Sequence, residues 1–579
     1  MTDPFPAQQQ DDGTRRLAFG LAAAVIGTAY AVLILGPRPL NPVDLDWMKG
    51  DPVEHYLGWL FYAQTEHTTF PLTWSERLGY PVGSYISLTD PALPVFLGWW
   101  RHVIPQGWQF FGWLFAFHAA LTWYWGYRLA FLLTGGNRTN ALLGSFLFLL
   151  VVHFARSGPG NYCGAIQWPI VAALYHLLAE PWGGHRYRRI VPFCLLIALA
   201  SAFHPYIGAI VLLIALSAIL RWTVERSIPV AGAVVLACVS IATLALTLYS
   251  VGILSVGSGG GAGGYEDYSL NLLAPFNPNG FHALAPWQFP LLPAQEDIYA
   301  YLGLGIFLLI GATAVGYRRL ARRWSRGTTA AVLVLTCGCL VIALSNKVTL
   351  GSHVVFHYEL PWPLSFAADA FRVSERFFWP VHMLIIGFCV GGVSRAWPGR
   401  VSTILLTTAL LLQAVDLSDL RRELRDYVEK PATGSLHDHQ WDRGWPWTSA
   451  AWTTLGRNHR HLVVLPAWQC DNQATPGGML GYVIFGRLAA DQHLTINEYR
   501  ASRYAPGALD THCREIPDQV RRGRLEPDTA YVLSDELFLA LTAAGGTGTH
   551  RCGRSDGYIL CRDGRSPADA DSSEERSSR

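Results

Sequence analysis

The feature that most constrains this chain is a series of apolar runs, each roughly 16 to 25 residues long, the length a helix needs to cross hydrocarbon. Arg-rich or Gly/Pro-rich breaks separate them. Within lipid each backbone polar group must be satisfied inside its own segment, so runs of this kind fold as helices. Composition agrees. Hydrophobic residues make up 51% and charged residues 15% of the 579, against about 25% charged in a soluble globular chain. The expected architecture is a polytopic α-helical membrane protein of about eleven transmembrane helices over residues 17–418. A net charge of +2, spread among loops, excludes a nucleic-acid footprint.

Candidate spans fall at 17–36, 109–132, 140–155, 164–180, 189–203, 206–221, 229–254, 298–316, 328–345, 377–396 and 400–418. Arg15 and Arg16, Arg138, Arg186, Arg188 and Arg189, Arg221 and Arg226, the Arg318–Arg326 cluster, and Arg395 and Arg400 occupy alternate connections. Positive charge resists translocation, so that face is assigned to the cytoplasm. Residues 1–16 then form a cytoplasmic tail. The first external loop (37–108), residues 156–163, 255–297 and 346–376, and everything beyond 418 lie outside. No small-residue cleavage site follows the Leu17–Leu35 run, so it is read as a retained signal anchor. The apolar run Pro91–Pro105 is short and bounded by prolines, and is read as interfacial or re-entrant.

The C-terminal region changes character. Strand-like runs (461–466, 529–533, 558–561) alternate with helix-like pieces such as 535–544, so residues 419–563 are expected to form an extracytoplasmic α/β domain. The polar tail 564–579 has no apolar anchor and is expected to be disordered. Six cysteines (163, 194, 238, 337, 339, 389) sit in or beside apolar runs and read as small core residues. The other four lie in the C-terminal region, where an oxidising compartment would allow two bridges. Cys552 and Cys561 bracket a turn-rich Gly-Arg-Ser-Asp-Gly stretch and are expected to pair, leaving Cys470–Cys513 as the second bridge.

Two clusters can carry chemistry. Outside the first span, Asp44, Asp46, Asp51, Glu54 and His55 stand close in sequence. If Pro52 opens a helix, Asp51 is its N-cap and Glu54 and His55 follow in the first turn, and helix capping is then the plain alternative to catalysis. The second cluster, Asp369–Pro380, contains Arg372, Glu375 and Arg376. Two guanidiniums four residues apart on one helix face would suit phosphate oxygens, while an interfacial ion-pair set is the competing reading. Arg156, beside His153, is a further phosphate candidate. His204-Pro205 reads as a bend rather than a ligand, and Gly257–Gly264, followed by Tyr265 and Glu266, as an external loop able to close over substrate.

The stretch Gly50-Asp51-Pro52-Val53-Glu54-His55-Tyr56 after the first span resembles the GT-C superfamily of membrane glycosyltransferases, whose catalytic Asp sits in that loop. Together with Arg372–Arg376, His204-Pro205-Tyr206, Gln167-Trp168 and Tyr265–Ser269, it resembles an uncharacterised bacterial multispan family near that superfamily. The resemblance implies a bacterial cytoplasmic-membrane enzyme. It would move a sugar from a polyprenyl phosphate or pyrophosphate carrier to an extracytoplasmic acceptor, a cell-envelope glycan, lipid or protein. Asp51, with Glu54 and His55, would act as base or hold a divalent cation such as Mg or Mn. Arg372 and Arg376, with Arg156, Tyr265 and Glu266, would bind substrate and its phosphate. Many members carry a paired Asp-Glu in this loop, whereas Asp51 is followed by Pro52, so Asp44, Asp46 and Glu54 stay open as alternatives for the catalytic place. The implied site is a cavity shared by the Asp51 and Arg372–Arg376 clusters, with an apolar side opening for the polyprenyl tail.

Two other classes compete: a transporter or flippase of lipid-linked saccharide, and a non-catalytic envelope assembly protein. The outward concentration of ionisable groups, and the lack of paired Gly/Pro-broken helices in repeated halves, favour the enzyme. The charge alternation predicts that reporter fusions at Trp441 or Cys470 score as extracytoplasmic and fusions in the Arg318–Arg326 loop as cytoplasmic. A cytoplasmic result at Cys470 would overturn the assignment of faces.

Overall fold

The computed structural model describes residues 13–65, 70–85, 103–105, 107–156, 162–179, 186–255, 265–280, 283–295, 299–320, 324–362, 364–369, 371–430, 447–501, 504–545 and 550–564. Most of the Pro91–Pro105 run, the Gly257–Gly264 stretch and the tail beyond Gly564 lie outside the described residues. The chain divides into two compact units. The first comprises Met1–Pro42, Phe110–Leu244 and Gly263–Lys430; the second comprises Val43–Gln109, Ala245–Ala262 and Pro431–Arg579. The first external loop thus clusters with the C-terminal domain and residues 419–430 with the helices, which differs from a linear division at residue 418.

In the first unit every apolar run carries helix, but fewer are span-length than the eleven expected. Among the described residues five helices are long and apolar enough to cross a membrane: Leu17–Leu35, Pro205–Val224, Val230–Ser250, Arg326–Leu344 and Ser374–Ala396. A sixth is added if Gly399–Asp416 and Ser418–Glu429, bent by 43°, count as one span. The reason is helix length. Trp168–Leu178 has 11 residues and Val191–Phe203 and Leu304–Gly316 have 13 each, so at 1.5 Å per residue they rise only about 16 to 20 Å. The run 140–155 breaks into Arg138–Leu147 and Val152–Arg156. Phe111–Leu133 has 23 residues, but Trp113, His118, Trp123, Tyr124, Trp125, Tyr127 and Arg128 dilute its aliphatic content. Past the bend, Leu420, Leu424 and Val428 of Ser418–Glu429 are buried at the i, i+4, i+8 spacing of an amphipathic face. Arg425 there donates to the Val32 carbonyl at 2.9 Å.

Small residues let these helices approach closely. A Cβ on Gly27 would stand 2.3 Å from the Ala116 carbonyl oxygen, whereas one on Gly20, further along the same helix, would meet nothing within 4 Å. The unit also holds an antiparallel hairpin of β3 (Lys347–Leu350) and β4 (His353–His357).

The second unit begins with helix Asp51–Ala63 and a small antiparallel pair, β1 (Trp74–Ser75) and β2 (Ser84–Tyr85). Its main sheet has the order β6-β5-β7-β9-β8. Here β5 is His461–Leu465, β6 Thr495–Ile496, β7 Thr529–Leu533, β8 His550–Ser555 and β9 Tyr558–Asp563. Strand β5 runs parallel to both β6 and β7, while β7–β9 and β8–β9 are antiparallel. All five residues of β7 are buried, the continuous apolar run expected of a strand covered on both faces. Asp556 (φ 48°) and Gly557 (φ 86°) link β8 to β9, the pair of positive φ values that a two-residue type I′ turn demands. Cys552 is bonded to Cys561, directly opposite it in the hairpin, and Cys470 to Cys513, with Cα separations of 4.1 and 5.4 Å. Helix Asp51–Ala63 lies against Gly481–Asp491, where Gly486 leaves room for Leu57. Gln64 Nε2 then donates to the Ala490 carbonyl at 2.7 Å.

The contrast between the two glycines predicts an asymmetric outcome. Gly27→Val should destabilise the purified protein by about 1–3 kcal/mol through overpacking, read as a lowered Tm in detergent, while Gly20→Val should leave Tm unchanged. Equal effects would mean that the Ala116 contact does not set the helix spacing.

Candidate functional site

In the second unit the acidic cluster is organised by helix Asp51–Ala63. Gly50, with φ 58°, stands at the N-cap and Asp51 is the first helical residue, so the helix starts one residue earlier than expected from Pro52. The left-handed backbone suits the missing Cβ of glycine. Asp51 and Glu54 share the first turn, where the exposed amides of the helix start favour negative charge. The Glu54 carboxylate accepts from the Tyr482 hydroxyl at 3.2 Å and is ion-paired with Arg500. Arg500 also lies over the Trp468 ring at 5.8 Å, and that ring packs on Tyr482 at 5.3 Å. The Glu54 side chain keeps 18% of its surface exposed. Burial pushes its carboxyl up to about 8, and neighbouring Asp51 adds to the rise, against the downward pull of Arg500 and the Tyr482 hydrogen bond. Burial also drives His55 down to about 4, so its ring is neutral at pH 7. Asp44 accepts from the Asp46 amide at 3.3 Å, a local turn contact.

In the first unit Arg372 and Arg376 do not share a helix face, which corrects the sequence reading. Helical geometry begins only at Ser374, as a 3-10 turn over Ser374–Phe378 that leads into Trp379–Ala396. Arg372 precedes it, donating to the Tyr268 hydroxyl at 3.0 Å with its guanidinium 4.7 Å from that ring. Arg376 instead lies over Tyr206 (4.8 Å) and Trp379 (5.9 Å), with a nitrogen 3.2 Å from His204 Nε2. His204, read from sequence as a bend, is the N-cap of Pro205–Val224, its Nδ1 accepting from the Tyr206 amide at 3.2 Å. The Val373 amide donates to the Tyr206 hydroxyl at 2.9 Å and so ties the two helix starts together. Donors therefore converge where two helix N-termini meet, an arrangement that suits an anion.

The remaining candidates have other engagements. Arg156 is ion-paired with Glu423 at 3.1 Å and lies 4.1 Å over Tyr299. The Tyr265 hydroxyl donates to the Ile342 carbonyl at 3.4 Å. Glu266 accepts from Asn346 at 2.6 Å and pairs with His357 at 3.2 Å, and the Asn346 bond foremost lowers its pKa. In the second unit a cavity of about 370 Å³ is lined by Trp59, Leu60, Ala63, Gln64, Ile104, Pro105, Gly107 and His493. It sits at the far end of the Asp51–Ala63 helix and does not include Asp51, Glu54 or His55.

No group of three or more His, Cys, Asp or Glu side chains is gathered for a metal ion among the described residues. The Arg500 guanidinium already neutralises Glu54. This donor set does not fit a divalent cation. Sequence reasoning missed Arg500, Tyr482, His204, Tyr206 and Tyr268 as partners. One signal was available: Asn497-Glu498-Tyr499-Arg500 follows strand β6, and the carboxyl ends of parallel strands are where such sheets place functional groups.

A family model described as Domain of unknown function (DUF6311) matches residues 24–418, and one described as DUF6311 C-terminal domain matches residues 451–563. No curated protein matches the chain. Among solved structures, the Archaeoglobus fulgidus oligosaccharyltransferase tethered with an acceptor peptide is similar at 12% identity and TM-score 0.47, covering 94% of this chain and 73% of that one. The archaeal oligosaccharyltransferase AglB from Archaeoglobus fulgidus, with an inhibitory peptide and a dolichol-phosphate, gives 14%, 0.43, 92% and 72% in the same order. The Archaeoglobus enzyme with Zn and sulfate gives 13%, 0.41, 88% and 67%. Likeness at this level of identity and superposition does not establish a shared activity.

The raised Glu54 pKa has a measurable consequence. Between its ordinary 4.5 and about 8, the folded state holds a proton that the unfolded chain releases. Stability is full below this window and falls as pH rises through it. Glu498, raised to about 8 mainly by burial, acts with the same sign. Melting of the detergent-purified protein from pH 5 to 8 should therefore show Tm falling, and Glu54→Gln should remove part of that slope and leave the Glu498 share. An unchanged slope would show that Glu54 titrates normally.

Proposed function

The chain belongs to the DUF6311 family, and we propose that it is a membrane glycosyltransferase that moves a sugar from a polyprenyl-linked phosphate carrier to a hydroxyl-bearing acceptor. One observation carries this reading: the loop that follows the first apolar helix holds two carboxyl groups in a single helical turn, one of them fastened by Arg500 and Tyr482 with its pKa raised to about 8. The convergence of Arg376, His204 and two helix starts in the first unit supports it, since the leaving group of such a transfer is a phosphate anion.

In the proposed step the acceptor hydroxyl oxygen bonds to the anomeric carbon as the bond from that carbon to the carrier phosphate oxygen breaks. The electron pair leaves with the phosphate, an anion for which Arg376 and Arg372 of the first unit are the candidate ligands. Asp51 takes the hydroxyl proton as general base. Glu54 shares the first helical turn with Asp51 and holds a proton near neutral pH, and His55 beside it is neutral. No step is routed through a metal.

The test is incubation of the full-length protein with radiolabelled polyprenyl-phosphate sugars and cell-envelope acceptor fractions. Asp51→Asn should lower transfer about 10²- to 10⁴-fold, the usual contribution of a general base, without lowering Tm. Arg376→Ala should raise the carrier KM about tenfold or more, as expected for loss of a charge-assisted contact. Movement of labelled lipid across vesicles without transfer would instead favour the flippase reading.

A further inference from the structure

The β3–β4 hairpin has an unusual surface. Val354, Val355 and Phe356 are 49%, 60% and 59% exposed, and Trp362, a few residues on, is 82% exposed. Phe356 stands opposite Val348 and Val354 opposite Thr349, with a register shift between the two pairs, so Phe356 turns to the face away from the buried Thr349. No Asp or Glu occurs from Thr349 to Tyr358.

The hairpin is nevertheless firmly rooted. Lys347 pairs with Asp267 at 3.4 Å and His357 with Glu266 at 3.2 Å. Asn346 bridges Glu266 (2.6 Å) and the Tyr358 carbonyl (3.0 Å). The Thr349 hydroxyl is buried in contact with Gln295 and Asn271. Its charged and polar partners therefore hold the base, while Phe356 and Trp362 stay exposed among the described residues.

A two-stranded ribbon is marginal in water unless something packs on it. The chain itself indicates what that is. Helix Arg326–Leu344 ends just before β3, and the next span-length helix begins at Ser374. The hairpin therefore springs from the boundary of the hydrocarbon, and a strand of this length reaches only about 17 Å from its base. Tyr358 and Trp362 beside it are the side chains that concentrate in the headgroup layer. We infer that the β3–β4 hairpin lies in the bilayer interface with Phe356 and Trp362 against lipid, making it a membrane-seated element that holds Glu266, Asp267 and, through the adjoining Tyr268, Arg372 at the lipid boundary.

The inference rests on the reading that the long apolar helices cross a membrane, and the experiment separates the two. Full-length protein carrying p-benzoylphenylalanine at one position is reconstituted in phosphatidylcholine–phosphatidylglycerol vesicles, illuminated and analysed for covalent lipid adducts by mass. Three positions are compared: Phe356, Val235 on the exposed face of Val230–Ser250 (59% exposed), and Glu536, whose side chain is 85% exposed. Adducts at Phe356 should match those at Val235 and exceed those at Glu536 several-fold. Labelling at Val235 with only background at Phe356 would overturn the inference while leaving the membrane reading intact. Cross-linking of Phe356 to a second copy of the chain would overturn it as well. Background labelling at both Phe356 and Val235 would overturn both readings.

Discussion

The second unit depends on one short stretch of backbone pairing. The Gly79 and Tyr80 amides both donate to the Ile496 carbonyl, at 2.7 and 2.9 Å, and the Ile496 amide donates to the Arg77 carbonyl at 2.9 Å. Strand β6 is only two residues long and would otherwise be an unprotected sheet edge, which proteins cover or shorten. The covering segment comes from the loop after the first helix. Tyr80 then stacks on His461 at 3.9 Å, its hydroxyl donates to Glu526 at 3.0 Å, and His512 Nε2 lies 3.2 and 3.0 Å from the Gly79 and Tyr80 carbonyls. Once these contacts form, the loop becomes part of the sheet domain. Arg500, a few residues after Ile496, is then delivered to Glu54 by the same strand that the loop caps.

What could be read from the sequence follows from how local the cause is. The helix at Asp51 announces itself through Pro52 and the acids of its first turn, because those preferences act within a few residues. The I′ turn at Asp556-Gly557 is equally local. Apolar runs located the helices of the first unit but not their lengths: Leu304–Gly316 and Val191–Phe203 stop short because Gly303, at φ 92°, and His204-Pro205 end regular geometry there. The partners of Glu54 were illegible for a different reason. Tyr482 and Arg500 reach it only through tertiary packing of Gly481–Asp491 and β6, which no periodicity encodes. The same holds for Arg372 and Arg376. Their four-residue spacing suggested one helix face, yet helical geometry starts only at Ser374, and the aromatic partners Tyr268 and Tyr206 come from distant segments.

Polar groups in the first unit show the cost of leaving water and how it is met. Asn271 donates to Gln295, Thr349 and the Gly351 carbonyl, while Gln295 donates in turn to Ser269 and Thr349. All four side chains are buried, so a partly satisfied set would be strongly destabilising. Completed, the network fixes the 269–295 segment against β3. Tyr268 stands at the end of that segment, and its ring and hydroxyl hold Arg372. The position of a candidate anion ligand is thus set by a neutral hydrogen-bond network rather than by a flexible ion pair.

Glu54 and Arg376 differ in how their charge is controlled. Around Glu54 opposing effects act on the carboxyl, burial and Asp51 raising its pKa and Arg500 and the Tyr482 hydrogen bond lowering it. Around Arg376 the guanidinium cannot lose its proton in any ordinary protein setting; the Tyr206 and Trp379 rings lie against it and the Glu375 carboxyl adjoins it. Burial and charged neighbours thus set the first group, and aromatic packing the second. Each is fixed by side chains of its own unit, so rigidity is built in before substrate arrives, as electrostatic stabilisation of a developing charge requires. The cost of burying the Glu54 carboxyl beside Asp51 is offset by Arg500 and the Tyr482 hydroxyl, which together fix it in place.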